Sequence, residues 1–428
     1  MENEIKLMNL KGTNDYLPEE QLIRNKITNI LRETFEKYGY LPLETPMLCY
    51  YDLLASKYAG GAEILKEVYK LTDQGGRNIG LRYDLTVPFS KVMGMNKGLI
   101  LPFKRYEIGK VFRNGPVKTG RAREFYQCDV DACGLDSPYA ELEYFTMIKD
   151  VFEKLNIKVI IKYNNRKFLS GLLEHLKVKK ENINSFIISI DKLDKISAKE
   201  IKKELLEHTN EKIVDEVFEY LGKNLTTLTT ELSSSKNELL NEGLKELNIL
   251  SGLINDLGLK EMCKFTPFLA RGLDIYTGCV WEVFDAEERL SSALGAGGRY
   301  DKIITNFLNN GNEYPAIGMT FGLEPIYELL KLSPFINETK YDIYVYSFER
   351  NKYLFEVSNI LRQKGYRVLT ELNAIKLKKA MNIANREKIK YVILIGDEEI
   401  KNASVTLKNM ETGEQELIKI NELDSKLK

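Results

Sequence analysis

The fold is decided by residues 103–131, FKRYEIGKVFRNGPVKTGRAREFYQCDVD. Two apolar, strand-like segments flank a polar loop that contains glycine and proline, which predicts a β-hairpin. The loop and its rims carry the cationic side chains Arg113, Lys118, Arg121 and Arg123. The returning strand ends in Gln127, Asp129 and Asp131.

Cations at one end of a rigid hairpin, with an amide and carboxylates along its strand, suit a substrate with two different ends. One end would be a polyphosphate, which arginine binds well, and the other an amine, which carboxylates bind. ATP beside an amino acid is such a pair. The charges of the hairpin therefore suit a nucleotide bound beside an amino acid.

Three further segments accompany the hairpin: LRYDLTVPF (81–89), ARGLDIYTG (270–278) and AIGMTFGLEPI (316–326). In this order, the segments resemble those of class II aminoacyl-tRNA synthetases, and specifically the histidyl-tRNA synthetase family. The resemblance extends from about Leu10 to the end of the chain. It implies an α+β fold, in which a six-stranded antiparallel sheet with flanking helices forms the catalytic core.

The composition excludes several classes of protein. The chain has 428 residues, 43% of them hydrophobic, which is enough for two or three domains with real cores. Lys plus Arg equals Asp plus Glu at 62 each, so the formal net charge is zero. A neutral chain is not a protein that coats nucleic acid through a wholly basic surface. A local basic patch could still bind RNA. The five cysteines form no C-x-x-C pair, which argues against structural zinc and a disulfide framework. The two histidines, His175 and His208, lie in charged helical stretches and are poor candidates for catalysis.

The first residues, MENEIKLMNLKG, lack the pattern of a secretory signal, and no apolar run is long enough to span a bilayer. We therefore expect a cytoplasmic protein with no membrane association.

A change of pattern after a turn-rich link divides the chain into residues 1–332, which by resemblance are the catalytic domain, and an α/β domain (340–428). Residues 18–38 have the spacing of an amphipathic helix, which Gly39 would end, and the extended YLPLETPML follows. By themselves these elements predict a core helix followed by an edge strand. By resemblance they form the dimer interface of class II synthetases, so we expect a homodimer. Residues from about 162 to 258 are rich in Lys, Glu, Leu and Asn and predict a helical insertion.

The C-terminal residues alternate strand and helix patterns and then predict a hairpin across METGE. This pattern predicts a small α/β domain with a mixed sheet. By resemblance it is an anticodon-binding domain. The glycine pairs of YAGGAE and DQGGR, within residues 50–80, indicate either a surface loop or a lid over the amino-acid site.

Two arginines are the candidate catalytic residues. Activation of an amino acid brings two anions together, and the guanidinium fork binds phosphate and carboxylate bidentately. By resemblance, Arg113 bridges the α-phosphate of ATP and the substrate carboxylate, and Arg271 stands at the α-phosphate where other class II enzymes use a metal ion. The alternatives are a surface arginine at Arg113 and a structural ion pair between Arg271 and Asp274.

The resemblance also implies a histidine pocket and an ATP site. The histidine-binding residues would be Asp84, Leu85, Thr86, Arg113, Gln127, Asp131, Arg271, Ile275 and Tyr276. The ATP-binding residues would be Arg113, Arg121, Arg123 and Arg271, with Mg²⁺ bound alongside the nucleotide. Asp84 and Asp131 have the alternative of ordinary strand-end caps. The glycine-rich GAGGRYD (295–301) is interpreted as a turn that allows close approach of a ligand.

The sequence departs from the family pattern in three places. Pro325 occupies the position of an arginine that holds the γ-phosphate of ATP, and the usual Arg-x-Glu reads Arg113-Asn114-Gly115. The usual pair of tyrosines is Ile275-Tyr276. Mg²⁺ and either Arg121 or Arg123 would then hold the γ-phosphate.

The predicted activity is ATP-dependent ligation of L-histidine to tRNA(His) through histidyl-adenylate. An alternative is a non-catalytic paralogue, namely a regulatory subunit that senses histidine or tRNA. The retained C-terminal domain and Arg271 disfavour this alternative, whereas Pro325 favours it. A third possibility is that histidine is activated for an acceptor other than tRNA. The sequence does not distinguish these acceptors.

Overall fold

The structure is a computed structural model that describes residues 7–56, 64–117, 121–194, 196–271, 275–332 and 340–427. It divides into two compact units. The larger comprises the described residues up to Asp15 and those from Arg24 to Leu332. The smaller comprises Tyr16–Ile23 and the described residues from Lys340 onward.

The larger unit is built on a sheet whose strand order is β1-β5-β6-β11-β10-β9-β7-β8. The strands from β5 to β7 in that order pair antiparallel, and the short outer strands β1 and β8 pair parallel with their neighbours. Six antiparallel strands therefore form the core that the resemblance implied. The strands are β1 (Leu41–Pro42), β5 (Phe103–Phe112), β6 (Glu124–Cys133), β7 (Val159–Asn165), β8 (Cys263–Phe265), β9 (Cys279–Asp285), β10 (Gly295–Arg299) and β11 (Ala316–Gly322).

The predicted hairpin is confirmed, since β5 and β6 pair along their whole length from Phe103↔Cys133 to Phe112↔Glu124. The predicted N-terminal helix is also confirmed: α1 runs over Pro18–Lys37, and Gly39 follows with a φ of +77°. Its apolar stripe of Ile27, Leu31 and Phe35 is fully buried, as the helical spacing requires.

The helices between residues 18 and 331 belong to the larger unit, apart from the first residues of α1 (18–23). Their bounds are α1 (Pro18–Lys37), α2 (Tyr51–Leu54), α3 (Thr86–Met95), α4 (Tyr139–Lys154), α5 (Arg166–His175), α6 (Lys180–Ile190), α7 (Ala198–Leu206), α8 (Glu211–Leu221), α9 (Leu225–Glu231), α10 (Glu238–Asp256), α11 (Asp301–Leu308) and α12 (Leu323–Lys331). Short 3₁₀ turns lie at Ile64–Glu67, Asp191–Asp194 and Lys260–Met262.

The predicted helical insertion contains α5 to α10, but its start near residue 162 falls inside a strand. Strand β7 continues to Asn165 because its residues pair with β9 as far as Asn165↔Cys279. The first helix then begins at Arg166, where the Asn165 side chain accepts a hydrogen bond from the backbone N–H of Lys167 (2.8 Å). Asparagine is a strong N-cap, and Asn210, Asn224 and Asn237 cap later helices in the same way.

A small antiparallel sheet precedes the hairpin, with the order β2 (Leu48–Tyr50), β4 (Asn78–Leu81) and β3 (Lys70–Thr72). Only the first residue of LRYDLT (81–86) lies in a strand, because β4 ends at Leu81 and helix α3 begins at Thr86. Asp84 Oδ1 accepts from the backbone N–H of Val87 (3.1 Å), and Pro88 occupies the first turn of the helix. Both features favour a helix start.

The interpretation of GAGGRYD as a glycine-rich turn is wrong. Gly295–Arg299 is the buried central strand β10, paired with β9 and β11. Its glycines make room for aromatic rings: a Cβ on Gly298 would lie 2.6 Å from the ring of Tyr276, and one on Gly297 would lie 2.6 Å from Trp281. The glycines thus shape the surroundings of the site through a strand.

The smaller unit has the predicted mixed sheet, in the order β13-β12-β14-β15-β16. Strand β12 pairs parallel with both β13 and β14, and β15 pairs antiparallel with β14 and β16. The predicted α+β class with a mixed C-terminal sheet is therefore confirmed. The elements are β12 (Ile343–Ser347), α13 (Lys352–Gln363), β13 (Val368–Thr370), α14 (Leu377–Arg386), β14 (Tyr391–Ile395), α15 (Asp397–Lys401), β15 (Ser404–Asn409), β16 (Gln415–Lys419), a 3₁₀ turn (Ile420–Glu422) and α16 (Leu423–Lys426).

Candidate active site

A cavity of about 270 Å³ opens on one face of the large sheet. Strands β6, β10 and β11, the start of α3 and the residues that flank β5 and β9 contribute to its wall. Most of the residues predicted for the histidine pocket meet there. They are Asp84, Thr86, Arg113, Gln127, Asp131, Arg271, Ile275 and Tyr276.

Arg113 lies immediately after β5, at the loop end of the hairpin. Its Nε donates to the backbone oxygen of Tyr83 (3.1 Å), and its guanidinium lies over the ring of Phe125 at 5.1 Å. Burial lowers the pKa of Arg113, and the nearby Asp84 carboxylate opposes that effect. The side chain lines the cavity, so the alternative of a solvated surface arginine is not supported by its position.

Arg271 is held in the cavity wall by its backbone. Its φ is +52°, and its N–H donates to Asp191 Oδ1 (2.8 Å). The guanidinium lies 5.3 Å from the centre of the Tyr276 ring, and Nε is 3.9 Å from Glu282 Oε1. Nη1 is buried without a hydrogen-bond partner among the described residues. A partly buried guanidinium with a buried, unpaired N–H is suited to an incoming anion.

Asp131 lies within β6, two residues before its end, and it pairs with Arg105 on β5 and Gly318 on β11, so it is not a strand-end cap. Its Oδ1 accepts from the hydroxyl of Tyr300 (2.5 Å), and its Oδ2 lies 2.8 Å from Arg105 Nη2. Burial raises the pKa of the Asp131 carboxyl, and the Arg105 charge opposes the rise. Arg105 itself is fully buried beneath the cavity and also donates to the backbone oxygen of Leu85 (3.0 Å).

Asp84 combines the two roles that the sequence suggested for it. Its carboxylate caps α3 through Val87, and it also lines the cavity. Burial raises its pKa to about 6, while the hydrogen bond from the Val87 N–H opposes the rise. The carboxyl therefore titrates within the range in which small changes of environment alter its charge.

Sequence reasoning missed several residues of the wall, namely Tyr83, Tyr300 and Thr320, and it named Asp129 on the returning strand of the hairpin without assigning it to the histidine pocket. One signal was present for Asp129, since residues 127, 129 and 131 of a strand share one face. Burial, followed by repulsion from Asp131, raises the pKa of the Asp129 carboxyl to about 8. Tyr300 directly follows the GAGGR strand, and Thr320 is the partner of Asp129 in the β6–β11 register.

Some predicted residues lie outside the cavity wall. The Leu85 side chain is fully buried, and its backbone oxygen accepts from Arg105. Arg121 Nη2 donates to Glu67 Oε1 (2.5 Å), and Arg123 Nε donates to the backbone oxygen of Gly115 (3.3 Å). Pro325 lies in the first turn of α12, after Glu324, which pairs with Arg24 at 3.0 Å.

Other predictions concern residues outside the described ranges. The YAGGAE segment of the possible lid (58–63), Lys118 and Gly120 of the hairpin loop, and Asp274, the alternative partner of Arg271, belong to this group.

The histidines and cysteines have no place in the described cavity wall. His175 and His208 are exposed on the helical insertion, and Cys49, Cys128, Cys133, Cys263 and Cys279 are free thiols, most of them buried. Within the described ranges, no group of three or more His, Cys, Asp or Glu side chains is placed to hold a metal ion. No described helix has both the length and the apolar character needed to cross a membrane.

Comparison with known proteins identifies the class to which this fold and cavity belong. The family model described as histidyl-tRNA synthetase matches residues 12–326, and the model described as anticodon binding domain matches residues 340–428. A crystal structure of histidyl-tRNA synthetase from Nostoc sp. PCC 7120 superposes with a TM-score of 0.88 at 26% identity, covering 99% of each chain.

Curated sequences give closer relatives. Histidine–tRNA ligase 2 of Shouchella clausii is 45% identical over 412 residues, which are 95% of this chain and 97% of the relative. Histidine–tRNA ligase 1 of Bacillus cereus is 44% identical over 422 residues, which are 98% of this chain and 97% of the relative. The chain therefore belongs to the histidyl-tRNA synthetase family.

Proposed function

We propose that this protein is a histidine–tRNA ligase, which joins L-histidine to tRNA(His) at the expense of ATP. The observation that carries the proposal is the convergence of Arg113, Arg271 and a set of buried carboxyls in one cavity of a family member. In the first step, a carboxylate oxygen of histidine attacks the α-phosphorus of ATP and pyrophosphate leaves. In the second, a hydroxyl of the terminal tRNA ribose attacks the histidyl carbonyl and AMP leaves.

Arg113 and Arg271 are the proposed catalytic residues. The first step brings the anionic carboxylate against the anionic α-phosphate and concentrates negative charge in the transition state. Two guanidinium groups fixed in a low-dielectric wall stabilise that charge with little reorganisation. The unpaired Nη1 of Arg271 supports this role, because a buried N–H gains most from a partner that is present only with the substrate.

Histidine is proposed to bind among Asp84, Leu85, Thr86, Gln127, Asp131, Ile275 and Tyr276, with the two arginines at its carboxylate. Leu85 contributes through its backbone, since its side chain is buried away from the cavity. Asp131 and the hydroxyl of Tyr300 form a connected polar pair. Such a pair suits the two nitrogens of an imidazole, because an apolar side chain would leave it without partners.

ATP is proposed to lie with its α-phosphate at Arg113 and Arg271, and with its outer phosphates toward Arg121 and Arg123. Magnesium would enter with the nucleotide, since Mg²⁺ in such sites is usually bound through substrate phosphates and water. The described residues provide no dedicated cage for the ion. When bound, it would neutralise phosphate charge beside the arginines.

tRNA(His) is the proposed acceptor of the histidyl group. The C-terminal domain (340–428) is proposed to bind the anticodon of this tRNA, and residues 1–332 are proposed to form the catalytic domain. The match of residues 340–428 to an anticodon-binding domain supports this assignment. A non-catalytic regulatory subunit is less well supported, because Arg271 is retained and lines the cavity. Pro325, in the first turn of α12, is not among the residues that line the described cavity.

A homodimer in the cytoplasm is part of the same proposal. The strands that the resemblance assigns to the dimer interface carry exposed apolar side chains, including Leu41, Leu48 and Tyr50. Clusters of exposed apolar residues on a monomer mark protein contacts. Analytical ultracentrifugation of the wild type and of Leu48→Arg tests this: a shift from dimer to monomer supports the proposed interface.

Histidine-dependent exchange between ATP and pyrophosphate, followed by charging of tRNA(His), tests the whole proposal. Exchange with histidine and with none of the other amino acids, together with charging, is the expected result. Exchange without charging would assign the histidyl group to another acceptor. A folded protein that gives no exchange would favour the regulatory alternative.

A further inference from the structure

The helical insertion reaches the candidate site through the side chain of Asp191. None of the described residues that line the cavity lies between residues 166 and 256, which hold helices α5 to α10. Asp191 begins the 3₁₀ turn after α6, and its Oδ1 accepts a hydrogen bond from the backbone N–H of Arg271 (2.8 Å), 80 residues further along the chain. The insertion therefore contacts the backbone of an arginine proposed as catalytic.

The backbone of Arg271 needs such a contact. Its φ of +52° lies in the left-handed region, which a residue with a Cβ rarely adopts. Conformations of this kind persist where the surrounding structure fixes them. The unusual φ also sets the direction in which the side chain leaves the backbone, and the guanidinium lies 5.3 Å from the centre of the Tyr276 ring in the cavity wall. Fixing the backbone therefore fixes the guanidinium.

The residues that precede Arg271 are held separately by the sheet. Asn164 on β7 is fully buried, and its Nδ2 donates to the backbone oxygens of Pro267 (2.8 Å) and Leu269 (2.9 Å). The chain thus arrives at Arg271 from a fixed point. Asp191 then holds the N–H of Arg271 itself from the other side, because it belongs to the insertion and not to the sheet.

The turn that carries Asp191 is itself well held. The residues on either side of it both bind Glu204 of helix α7: Ser189 Oγ donates to Oε1 at 2.8 Å, and Lys192 Nζ donates to Oε1 at 2.7 Å. Ile190, which directly precedes Asp191, is fully buried. A side chain supported in this way can hold another group in a precise place.

We propose that Asp191 is a positioning residue for the activation step, which holds the backbone of Arg271 so that its guanidinium faces the α-phosphate. This inference rests on the proposed function and deepens it. Asp191 does not line the cavity, so it acts through Arg271. A donor that stabilises the transition state affects kcat more than substrate binding, and a displacement of about 1 Å can lower the rate about 100-fold.

Pyrophosphate exchange with histidine measures this effect in three variants. Asp191→Ala should lower kcat about 10- to 100-fold, with the KM for histidine within about 3-fold of the wild type. Asp191→Asn keeps an oxygen acceptor and should restore most of kcat. Asn210→Ala is the matched control, because Asn210 accepts from the backbone N–H of Ile213 (3.1 Å) in the same insertion. Its kcat should equal that of the wild type.

A double-mutant cycle shows whether Asp191 acts through Arg271. When Arg271→Ala has removed the guanidinium, Asp191→Ala should cause little further loss of kcat, because the group that it positions is absent. The same fold-loss in both backgrounds would overturn the proposal. Asp191→Ser, whose side chain is one bond shorter, takes the place of the alanine variant if that variant does not fold.

Amide hydrogen exchange of the folded protein without substrates provides a readout that does not depend on activity. The peptide that contains Arg271 should exchange faster in Asp191→Ala, and at the wild-type rate in Asp191→Asn and Asn210→Ala. Unchanged exchange at this peptide would overturn the proposal, and so would faster exchange with an unchanged kcat, since Asp191 would then only attach the insertion. A wild type without pyrophosphate exchange would instead refute the proposed ligase activity, and hydrogen exchange would still decide whether Asp191 holds Arg271.

Discussion

The carboxylate of Asp131 occupies the space that a side chain on Gly318 would need: a Cβ at residue 318 would lie 1.9 Å from Asp131 Oδ1. Gly318 is the register partner of Asp131 on β11, so the glycine allows the carboxylate to lie over the neighbouring strand and meet Tyr300. Gly318→Ala should displace Asp131 and break the bond from Tyr300. We expect the KM for histidine in pyrophosphate exchange to rise at least about 10-fold, with a smaller change in the KM for ATP.

The matched control is the same substitution in open space. A Cβ on Gly252, inside helix α10, would meet nothing within 4 Å. Gly252→Ala should leave both KM values unchanged and raise the free energy of unfolding by up to about 1 kcal/mol, because alanine favours the helix interior. An unaltered KM for histidine in Gly318→Ala would show that the position of Asp131 does not govern recognition.

The sequence predicted the sheet and hairpin well because their signals are local. Alternating apolar residues and the Gly-Pro loop specify two paired strands without knowledge of the rest of the chain. GAGGR gave the opposite signal, since glycine runs usually mark turns. Its place in the sheet depends on Tyr276 and Trp281, whose rings need the space beside it. Such long-range packing is not visible in a local pattern.

The distinction between local signals and long-range packing also explains which site residues were predicted and which were missed. Gln127 and Asp131 were assigned to the histidine pocket because they fall within a resembling segment, whereas Asp129 between them was noted on the strand and not assigned to the pocket. Tyr300 and Thr320 reach the cavity through β10 and β11, which are distant in sequence from the hairpin. A pairing register was needed to bring them to Asp131 and Asp129.

Replacement of Arg271 tests electrostatic stabilisation at the α-phosphate. Lysine retains the charge but lacks the planar fork. In Arg271→Lys we expect kcat for pyrophosphate exchange to fall about 100-fold or more, the usual effect of removing one donor to a transition-state anion. Arg289→Lys is the control, since Arg289 pairs with Asp285 outside the cavity, and its kcat should stay near that of the wild type. Equal losses in both variants would argue against a catalytic role for Arg271.

The pH dependence of stability tests the burial of the Asp129 carboxyl. Its pKa is raised to about 8 in the folded protein, against about 3.9 in an unfolded chain. Between these values the folded state binds the additional proton, so this carboxyl makes the free energy of unfolding decrease as pH rises from about 4 to 8. Above pH 8 its effect is constant.

Asp129→Asn removes that contribution. At pH 8 the variant should be more stable than the wild type by about 2 kcal/mol or more, and the difference should become smaller toward pH 5. Urea unfolding of the ligand-free proteins at several pH values measures the difference, and Asp136→Asn, at an exposed carboxylate outside the cavity, supplies the baseline. A difference that is independent of pH would mean that Asp129 is already paired or ionised in the folded protein.

The contact between Glu67 and Arg121 affects the proposed binding of the ATP phosphates, because residue 325 is a proline and cannot supply a guanidinium. Arg121 donates to Glu67 (2.5 Å), so a phosphate would compete with a carboxylate for this guanidinium. Arg121→Ala should therefore raise the KM for ATP about 5- to 10-fold, the effect of a partly exposed charge-assisted contact. Glu67→Gln should lower it, because the competing negative charge is removed while the side chain keeps its size.

The opposite signs of these two changes distinguish a phosphate contact from general damage to the hairpin, since a loop that had lost its shape would weaken ATP binding in both variants. Arg123→Ala separates the two candidate arginines, because Arg123 donates to the backbone of Gly115 and not to Glu67. Initial rates of pyrophosphate exchange at saturating histidine give the three KM values for ATP. If Arg121→Ala and Arg123→Ala both leave that KM unchanged, neither arginine replaces the missing one, and the outer phosphates must be held by other groups.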